Sequence, residues 1–172
     1  MKKIRTKILM VLLISVIAYA CKKDESNTNP QTGIKVGDLA PEFELKDSNS
    51  DTIKLNDYRG NLVVVDFWAS WCHFCRDENP VLVSLYNNYK SKGLEIIGVS
   101  LDENAGNWQN AVIDDGIEFI QVIDTDAFNS QIAKDYGISS IPRMFLLDEN
   151  GVIIAVTSDA SALESYISNR LD

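Results

Sequence analysis

The sequence predicts an α/β domain in which a central mixed sheet is flanked by helices. From residue 62 onward, apolar runs of strand length alternate with helical patterns, which is typical of parallel strands joined by helical crossovers. The polar turn 148–151 separates two further strand-like runs, 143–147 and 152–156, and predicts an antiparallel hairpin. A sheet that contains both kinds of pairing is mixed.

The elements are expected in a simple order along the chain. The alternating segments 40–45 and 52–55 flank a polar turn and predict an N-terminal β-hairpin. Five apolar runs then predict strands and four segments with helical spacing predict helices, in the order strand 62–67, helix 72–89, strand 94–100, helix 104–115, strand 119–123, helix 128–136, strand 143–147, strand 152–156 and helix 161–171.

Residues 1–20 are typical of a signal peptide and are not expected to belong to the fold. A basic segment comes first, with Lys2, Lys3, Arg5 and Lys7. The apolar stretch 8–20 that follows is shorter than the about 20 residues that a bilayer span needs, but it fits the apolar region of a signal peptide. Ala18 and Ala20 supply the small residues of a cleavage site. These features predict export.

Cys21 directly follows the expected cleavage site. Cleavage before a cysteine is typical of bacterial lipoproteins, and an exported protein rarely carries an odd thiol without a use. We therefore expect a lipid at Cys21 that anchors the protein on the periplasmic side of the cell envelope; an incidental cysteine is the alternative. Polar residues 21–33 predict a flexible tether, and the folded domain is expected over 34–172.

The charge and the cysteine count exclude several classes of protein. The net charge is −9, and residues 1–20 carry four positive and no negative side chains, so their removal leaves −13. This charge argues against nucleic-acid partners and against direct adsorption to anionic lipid. Three cysteines and one histidine are too few for a disulfide-stapled scaffold or a four-ligand zinc site. We therefore expect no cofactor and no metal.

Cys72 and Cys75 form a C-x-x-C pair between an apolar strand and the start of a helix. Unpaired N–H groups and the positive end of the helix dipole favour an anion at the first sulfur. Cys72 is therefore expected to ionise readily and to act as the nucleophile. Cys75, one helical turn further on, can attack a mixed disulfide and release the substrate. The pair predicts reversible dithiol–disulfide chemistry.

Two widely separated segments resemble those of thioredoxins. Residues 65–75, Val-Asp-Phe-Trp-Ala-Ser-Trp-Cys-His-Phe-Cys, resemble the thioredoxin active-site segment. Residues 137–142, Gly-Ile-Ser-Ser-Ile-Pro, resemble the thioredoxin loop that contains a cis proline. The two motifs occur in the thioredoxin order, which implies a thioredoxin fold.

Further segments resemble a narrower group, the exported TlpA/ResA-like thiol–disulfide oxidoreductases. Residues 37–45 and 55–61 are similar to their N-terminal hairpin region. The stretch between the two thioredoxin-like motifs is longer than in plain thioredoxin and has room for the helix–strand insertion of these proteins. The resemblance covers residues 34–172.

The resemblance implies roles for residues around the cysteine pair. Pro142, in a cis peptide bond, would lie opposite Cys72 and turn the backbone of Ile141 toward an extended substrate. Trp71 would offer apolar surface to the substrate, whereas Trp68 is expected in the core.

His73 and Phe74 replace the Gly-Pro dipeptide of thioredoxin and would also face the substrate. Protonated His73 would make the pair more oxidising than thioredoxin. The alternative is an exposed residue with little effect.

Two carboxylates are candidates for the proton acceptor of Cys75. Asp66 matches the buried thioredoxin aspartate, and burial in an apolar strand raises the pKa of a carboxylate. Glu78 lies one helical turn after Cys75 and matches a glutamate implicated in proton transfer in ResA-like proteins. The alternatives are a structural acid at Asp66 and a solvated helix residue at Glu78.

The resemblance implies an exported oxidoreductase that reduces disulfides of envelope proteins, including apocytochrome c, and is recharged by a membrane electron donor. One rival is a thiol peroxidase, but the Pro-x-x-x-Thr-x-x-Cys setting of a peroxidatic cysteine is missing. The other is a binding module or copper chaperone, in which Cys72, Cys75 and His73 would hold a soft cation. Copper chaperones of this fold use a second, distant histidine, and the chain has only one.

Overall fold

The computed structural model describes residues 30–172. The expected signal peptide, Cys21 and the tether before residue 30 lie outside this range. The strands are β1 (Glu44–Asp47), β2 (Thr52–Lys54), β3 (Leu62–Trp68), β4 (Leu94–Ser100), β5 (Ile120–Ile123), β6 (Arg143–Leu147) and β7 (Ile153–Thr157). The α-helices are α1 (His73–Tyr89), α2 (Ala105–Asp114), α3 (Gln131–Asp135) and α4 (Glu164–Leu171). In residues 30–172, no helix is both long enough and apolar enough to cross a membrane.

The described strands form one sheet in the order β2-β1-β5-β4-β3-β6-β7. The three adjacent strands β3, β4 and β5 are parallel. The N-terminal hairpin β1–β2 joins β5 antiparallel, and β6 and β7 complete the other edge antiparallel. The predicted mixed sheet and both predicted hairpins are confirmed. The segment α2–β5 lies between the two thioredoxin-like motifs, where an insertion is expected.

Side chains of β3 alternate between two apolar cores, one on each face of the sheet, because successive residues of a strand point to opposite faces. Leu62, Val64 and Trp68 pack with residues of α1, α2 and α4. Val63 and Val65 pack on the other face, with residues of α3. Each such side chain contributes about 1.5–3 kcal/mol when fully buried. Trp68 is 1% exposed, which confirms its predicted place in the core.

Two helices differ from their predicted extents, because each predicted helix consists of a 3₁₀ turn and a shorter α-helix. The predicted helix 128–136 is a 3₁₀ turn (Ala127–Asn129) followed by α3. Ser130 begins α3, since its hydroxyl accepts the N–H of Ala133 at 3.2 Å. The predicted helix 161–171 likewise consists of a 3₁₀ turn (Ala160–Leu163) and α4.

Residues 37–40 form backbone hydrogen bonds with the start of β7 and the residues just before it. Gly37 donates its N–H to the carbonyl of Ile153 at 2.8 Å, and Ile153 donates to the carbonyl of Asp38 at 2.9 Å. Ala40 donates to the carbonyl of Gly151 at 3.0 Å. Ile153 pairs with Leu147, the last residue of β6. This end of β6 is remote from the loop that contains the second thioredoxin-like motif. The chain therefore joins the sheet at the end remote from the cysteine pair.

Candidate active site

Cys72 and Cys75 lie where β3 ends and α1 begins. Cys72 is the N-cap of α1, with φ −85° and ψ 101°, and its sulfur accepts the backbone N–H of Cys75 at 3.1 Å. The two sulfurs form a disulfide of 2.08 Å, with the Cα atoms 5.2 Å apart. Cys72 is 6% exposed and Cys75 1%. Cys72 is therefore the more accessible of the two cysteines.

The turn before Cys72 is held by a buried carboxylate, that of Asp102. Asp102 is 1% exposed and accepts the backbone N–H of Ser70 at 2.8 Å and the Ser70 hydroxyl at 2.6 Å. The hydroxyl of Ser100 donates to it at 2.8 Å. These contacts form because β3 and β4 are parallel neighbours, so their carboxyl ends meet at one edge of the sheet. Asp102 was not predicted from the sequence to belong to the site, although a charged residue two positions after a buried strand is a usable signal.

A second polar cluster ties the start of α1 to the end of α2. Arg76, the residue after Cys75, donates to both carboxylate oxygens of Asp115, with Nη2 to Oδ1 at 2.5 Å. Asn79, which is 1% exposed, donates to the same carboxylate at 2.6 Å. The hydrogen bond to Asp115 raises the pKa of Arg76, which therefore stays charged. This cluster was not predicted from the sequence either.

Asp66 is buried on the face of β3 that packs against α1. It is 2% exposed, and its Oδ1 has no hydrogen-bond partner among residues 30–172. Burial raises the pKa of Asp66 to about 7, and the negative charge of Glu78 adds to the increase. The predicted burial is confirmed, and the carboxyl group changes its proton occupancy near neutral pH.

Glu78 is half-buried rather than fully solvated. Its Oε2 accepts the backbone N–H of Ala160 at 2.7 Å, so this side chain caps the 3₁₀ turn before α4. Glu78 therefore has a defined position, and its charge acts on Asp66 from there. The alternative interpretation of a solvated helix residue is wrong.

The loop before β6 reaches the same end of the sheet as the disulfide. The Ile141–Pro142 peptide bond is cis, as predicted. Arg143, the next residue, pairs with Phe67 near the end of β3. Ile141 is half-buried and packs against both cores.

Exposed aromatic side chains surround the cysteine pair. Trp71 is 60% exposed and Phe74 72%. Phe128, which was not predicted to belong to the site, lies with its ring centroid 6.3 Å from that of Trp71. The His73 side chain is also exposed, and its Nε2 lies 3.6 Å from a carboxylate oxygen of Asp77. Trp71, Phe74 and Phe128 together give the site an accessible apolar rim.

In residues 30–172, no group of three or more histidine, cysteine, aspartate or glutamate side chains is arranged to hold a metal ion. Two carboxylates near the disulfide are instead engaged with hydrogen-bond donors: Asp102 accepts from Ser70, and Glu78 accepts from Ala160.

Comparison with known proteins gives consistent matches. Residues 36–156 match the AhpC/TSA family. The chain is 33% identical over 169 residues to the thiol-disulfide oxidoreductase ResA of Bacillus subtilis, with 98% of this chain and 90% of the relative covered. It is 35% identical to ResA of Geobacillus kaustophilus, with 87% and 82% covered.

Solved structures agree with these relatives. The thioredoxin domain of a thiol-disulfide oxidoreductase from Bacteroides vulgatus superposes with a TM-score of 0.76 at 31% identity, covering 81% of this chain and 100% of the other. A putative thiol:disulfide interchange protein DsbE from Chlorobium tepidum gives a TM-score of 0.73 at 32% identity, covering 81% and 100%.

Proposed function

The chain belongs to the AhpC/TSA family and is a thiol–disulfide oxidoreductase of thioredoxin fold, and from that premise we propose that it reduces protein disulfides in the bacterial cell envelope. Cys72 is the attacking sulfur and Cys75 the resolving sulfur. The observation that carries this assignment is the position of Cys72 at the N-cap of α1, where it is the more exposed of the two cysteines and its sulfur accepts an N–H group. The same N–H group and the helix dipole favour the thiolate in the reduced protein.

The reaction transfers two electrons in two exchange steps. The Cys72 thiolate attacks one sulfur of the substrate disulfide, so that the substrate S–S bond breaks, a mixed disulfide forms and one substrate thiolate leaves. The Cys75 thiolate then attacks the Cys72 sulfur, which breaks the mixed disulfide and releases the second substrate thiolate. The substrate gains two electrons, and the protein is left with the Cys72–Cys75 disulfide.

Asp66 takes the proton that Cys75 must lose before the second step. The two groups are both buried, where a free hydroxide ion is excluded, and Asp66 lies on the face of β3 that packs against α1. A pKa of about 7 suits a group that must accept and return a proton near neutral pH. Glu78 assists through its charge, since its carboxylate is engaged with Ala160.

The exposed surface around the attacking sulfur receives the substrate. The backbone of Ile141, next to cis Pro142, pairs with an extended segment that carries the disulfide. Trp71 and Phe74 contact apolar side chains of that segment. His73, whose side chain is exposed near Asp77, sets the charge next to the thiolate.

The oxidised protein requires a donor of electrons. We propose a membrane donor of the thiol-transfer type, because the compartment outside the cytosol has no reducing thiol pool. Residues 1–20 direct export, Cys21 carries a lipid anchor, residues 21–33 are the tether and residues 34–172 are the catalytic domain. Apocytochrome c, which the family resemblance suggests, is the candidate substrate.

The first test is the reduction potential of the Cys72–Cys75 pair, measured by equilibration with glutathione buffers. A reductase is expected near the thioredoxin value of about −270 mV. A value close to about −120 mV, typical of strong oxidants, would overturn the proposed direction. Two variants test the assignment of the sulfurs: Cys72→Ser is expected to abolish reduction of a peptide disulfide, and Cys75→Ser to stop at a mixed disulfide that mass spectrometry detects.

A further inference from the structure

A groove with a volume of about 410 Å³ lies directly beside the active site. Four segments form it: the turn before Cys72, the loop after β4, the first turn of α2, and the 3₁₀ turn Ala127–Asn129. Its lining side chains include Trp71, Glu103, Asn107 and Phe128. Trp71, which lines the groove, is the residue immediately before the attacking Cys72.

Two aromatic rings supply the apolar part of the groove. Trp71 and Phe128 are 60% and 37% exposed, their ring centroids are 6.3 Å apart, and their planes are inclined by 46°. Faces of aromatic rings attract cations that approach within about 6 Å of the ring centroid, and guanidinium groups are the commonest partners. The pair therefore offers a surface for an alkyl stem that ends in a positive charge.

The charge in the groove is negative and unpaired. Glu103 is exposed, and its carboxylate forms no ion pair or hydrogen bond with any side chain of residues 30–172. The neighbouring Asp102 is already engaged, since Ser70 and Ser100 donate to its two oxygens. The described residues that line the groove include no lysine or arginine. Glu103 is thus available to a positive charge from a partner.

We propose that this groove binds a lysine or arginine side chain of the substrate, close in sequence to the cysteine that Cys72 attacks. The preference for a basic residue would be a specificity element for the reaction. This inference rests on the proposed function, because a substrate must first present a disulfide to Cys72.

The test compares peptides that differ in one charge. Each peptide carries one disulfide and has arginine, citrulline or glutamate beside the cysteine, in separate series before and after it. Citrulline has the shape of arginine without its charge. The reduced protein is mixed with each peptide in a stopped-flow instrument. For at least one of the two series, we expect the second-order rate constant for arginine to exceed that for citrulline about tenfold at low salt.

The contribution of charge is tested with salt and with variants. We expect the arginine preference to fall to about threefold in roughly 0.5 M NaCl, because exposed charge pairs are screened. Glu103→Gln and Phe128→Leu are each expected to reduce the preference to about threefold at low salt. Asp77→Asn is the matched control: it removes the same charge from an exposed position near the disulfide but outside the groove, and it should keep the full preference.

Each remaining outcome has a defined meaning. Equal rate constants for arginine and citrulline in both series would overturn this inference and leave the reductase function intact. A preference that survives Glu103→Gln, or that is lost equally in Asp77→Asn, would show that the groove is not its origin. Failure to reduce any of the peptides would overturn the proposed function together with this inference.

Discussion

Asp66 and Asp102 are two buried carboxylates near the active-site ends of neighbouring parallel strands, and their surroundings are opposite in kind. They are 2% and 1% exposed. Asp102 accepts three hydrogen bonds, two from Ser70 and one from Ser100. Asp66 leaves its Oδ1 without a partner among residues 30–172. The same side chain, at nearly equal burial, is thus fully engaged in one place and poorly satisfied in the other.

The difference shows that the local environment determines the role of a buried aspartate. A buried carboxylate that is supplied with donors fixes the groups that donate to it. A buried carboxylate without donors is costly when charged, so its affinity for a proton rises. Asp102 therefore fixes the turn that carries Cys72, and Asp66 is suited to exchange a proton.

The largest effect is expected from removal of the well-satisfied carboxylate. Asp102→Ala leaves two hydroxyl groups and one backbone N–H without their acceptor, and it should lower the free energy of unfolding by about 4 kcal/mol. Chemical denaturation of the oxidised protein measures this loss. Ser100→Ala removes one of the three donors and should cost about 1 kcal/mol. A loss below about 1 kcal/mol for Asp102→Ala would mean that the network does not hold the turn.

The second prediction concerns the pH dependence of stability. The folded protein binds a proton at Asp66 more tightly than the unfolded chain does, since the pKa rises from 3.8 to about 7 on folding. The stabilisation that this proton provides is complete below about pH 4 and is lost as the pH rises through 7.

Asp66→Asn removes this pH dependence. From about pH 5 to about pH 8, the free energy of unfolding of the wild type should fall by about 3 kcal/mol relative to that of the variant. Denaturant titrations of both proteins across this range measure the change, and the subtraction cancels all other titrating groups. A constant difference between the two proteins would mean that Asp66 titrates at the same pH in the folded and unfolded states.

The third prediction concerns the rate at which Cys75 resolves the mixed disulfide. Asp66→Asn should slow the attack of Cys75 on the mixed disulfide about 100-fold at neutral pH, because general base catalysis contributes at least this factor. The rate of substrate release from a preformed mixed disulfide is the direct measurement. The first attack, by Cys72, should change far less, which separates a proton-transfer role from a general loss of structure. Equal slowing of both steps would contradict the role.

The smallest effect is expected from Glu78. Its charge raises the pKa of Asp66, so Glu78→Gln should move the pH midpoint of the resolving step to lower pH. The rate at the optimum should change by less than about threefold, since Gln keeps an oxygen for the N–H of Ala160. A pH–rate profile of the variant measures both quantities. Loss of activity as large as that of Asp66→Asn would instead make Glu78 the proton acceptor.

Some parts of this site could be predicted from the sequence and others could not, for a physical reason. Cys72, Cys75 and Asp66 lie within one strand–turn–helix segment, so their relation is encoded in local spacing. The Asp102–Ser70 contact joins residues 32 apart, and the Arg76–Asp115 contact joins residues 39 apart. Such pairs depend on which strands and helices become neighbours, which local patterns do not encode.

The position of Phe128 is a second feature that local sequence patterns do not encode. Helical spacing placed it at the start of a regular helix, but Ala127 adopts a left-handed backbone with φ +53°, and the chain forms a 3₁₀ turn instead. That turn brings the ring of Phe128 to Trp71. The hairpins, by contrast, were predicted correctly because polar turn residues between alternating segments are a local signal.

The junction of residues 37–40 with the start of β7 also sets the position of the N-terminal attachment relative to the sulfur pair. Ile153 and Val63 both pair with Leu147, and Val63 lies five residues before Trp68 on β3, about 17 Å along the strand. The point of attachment and the sulfur pair are therefore at opposite poles of the domain. If the chain is held by its N-terminal segment, as we propose, the sulfur pair lies at the pole of the domain that is remote from the point of attachment.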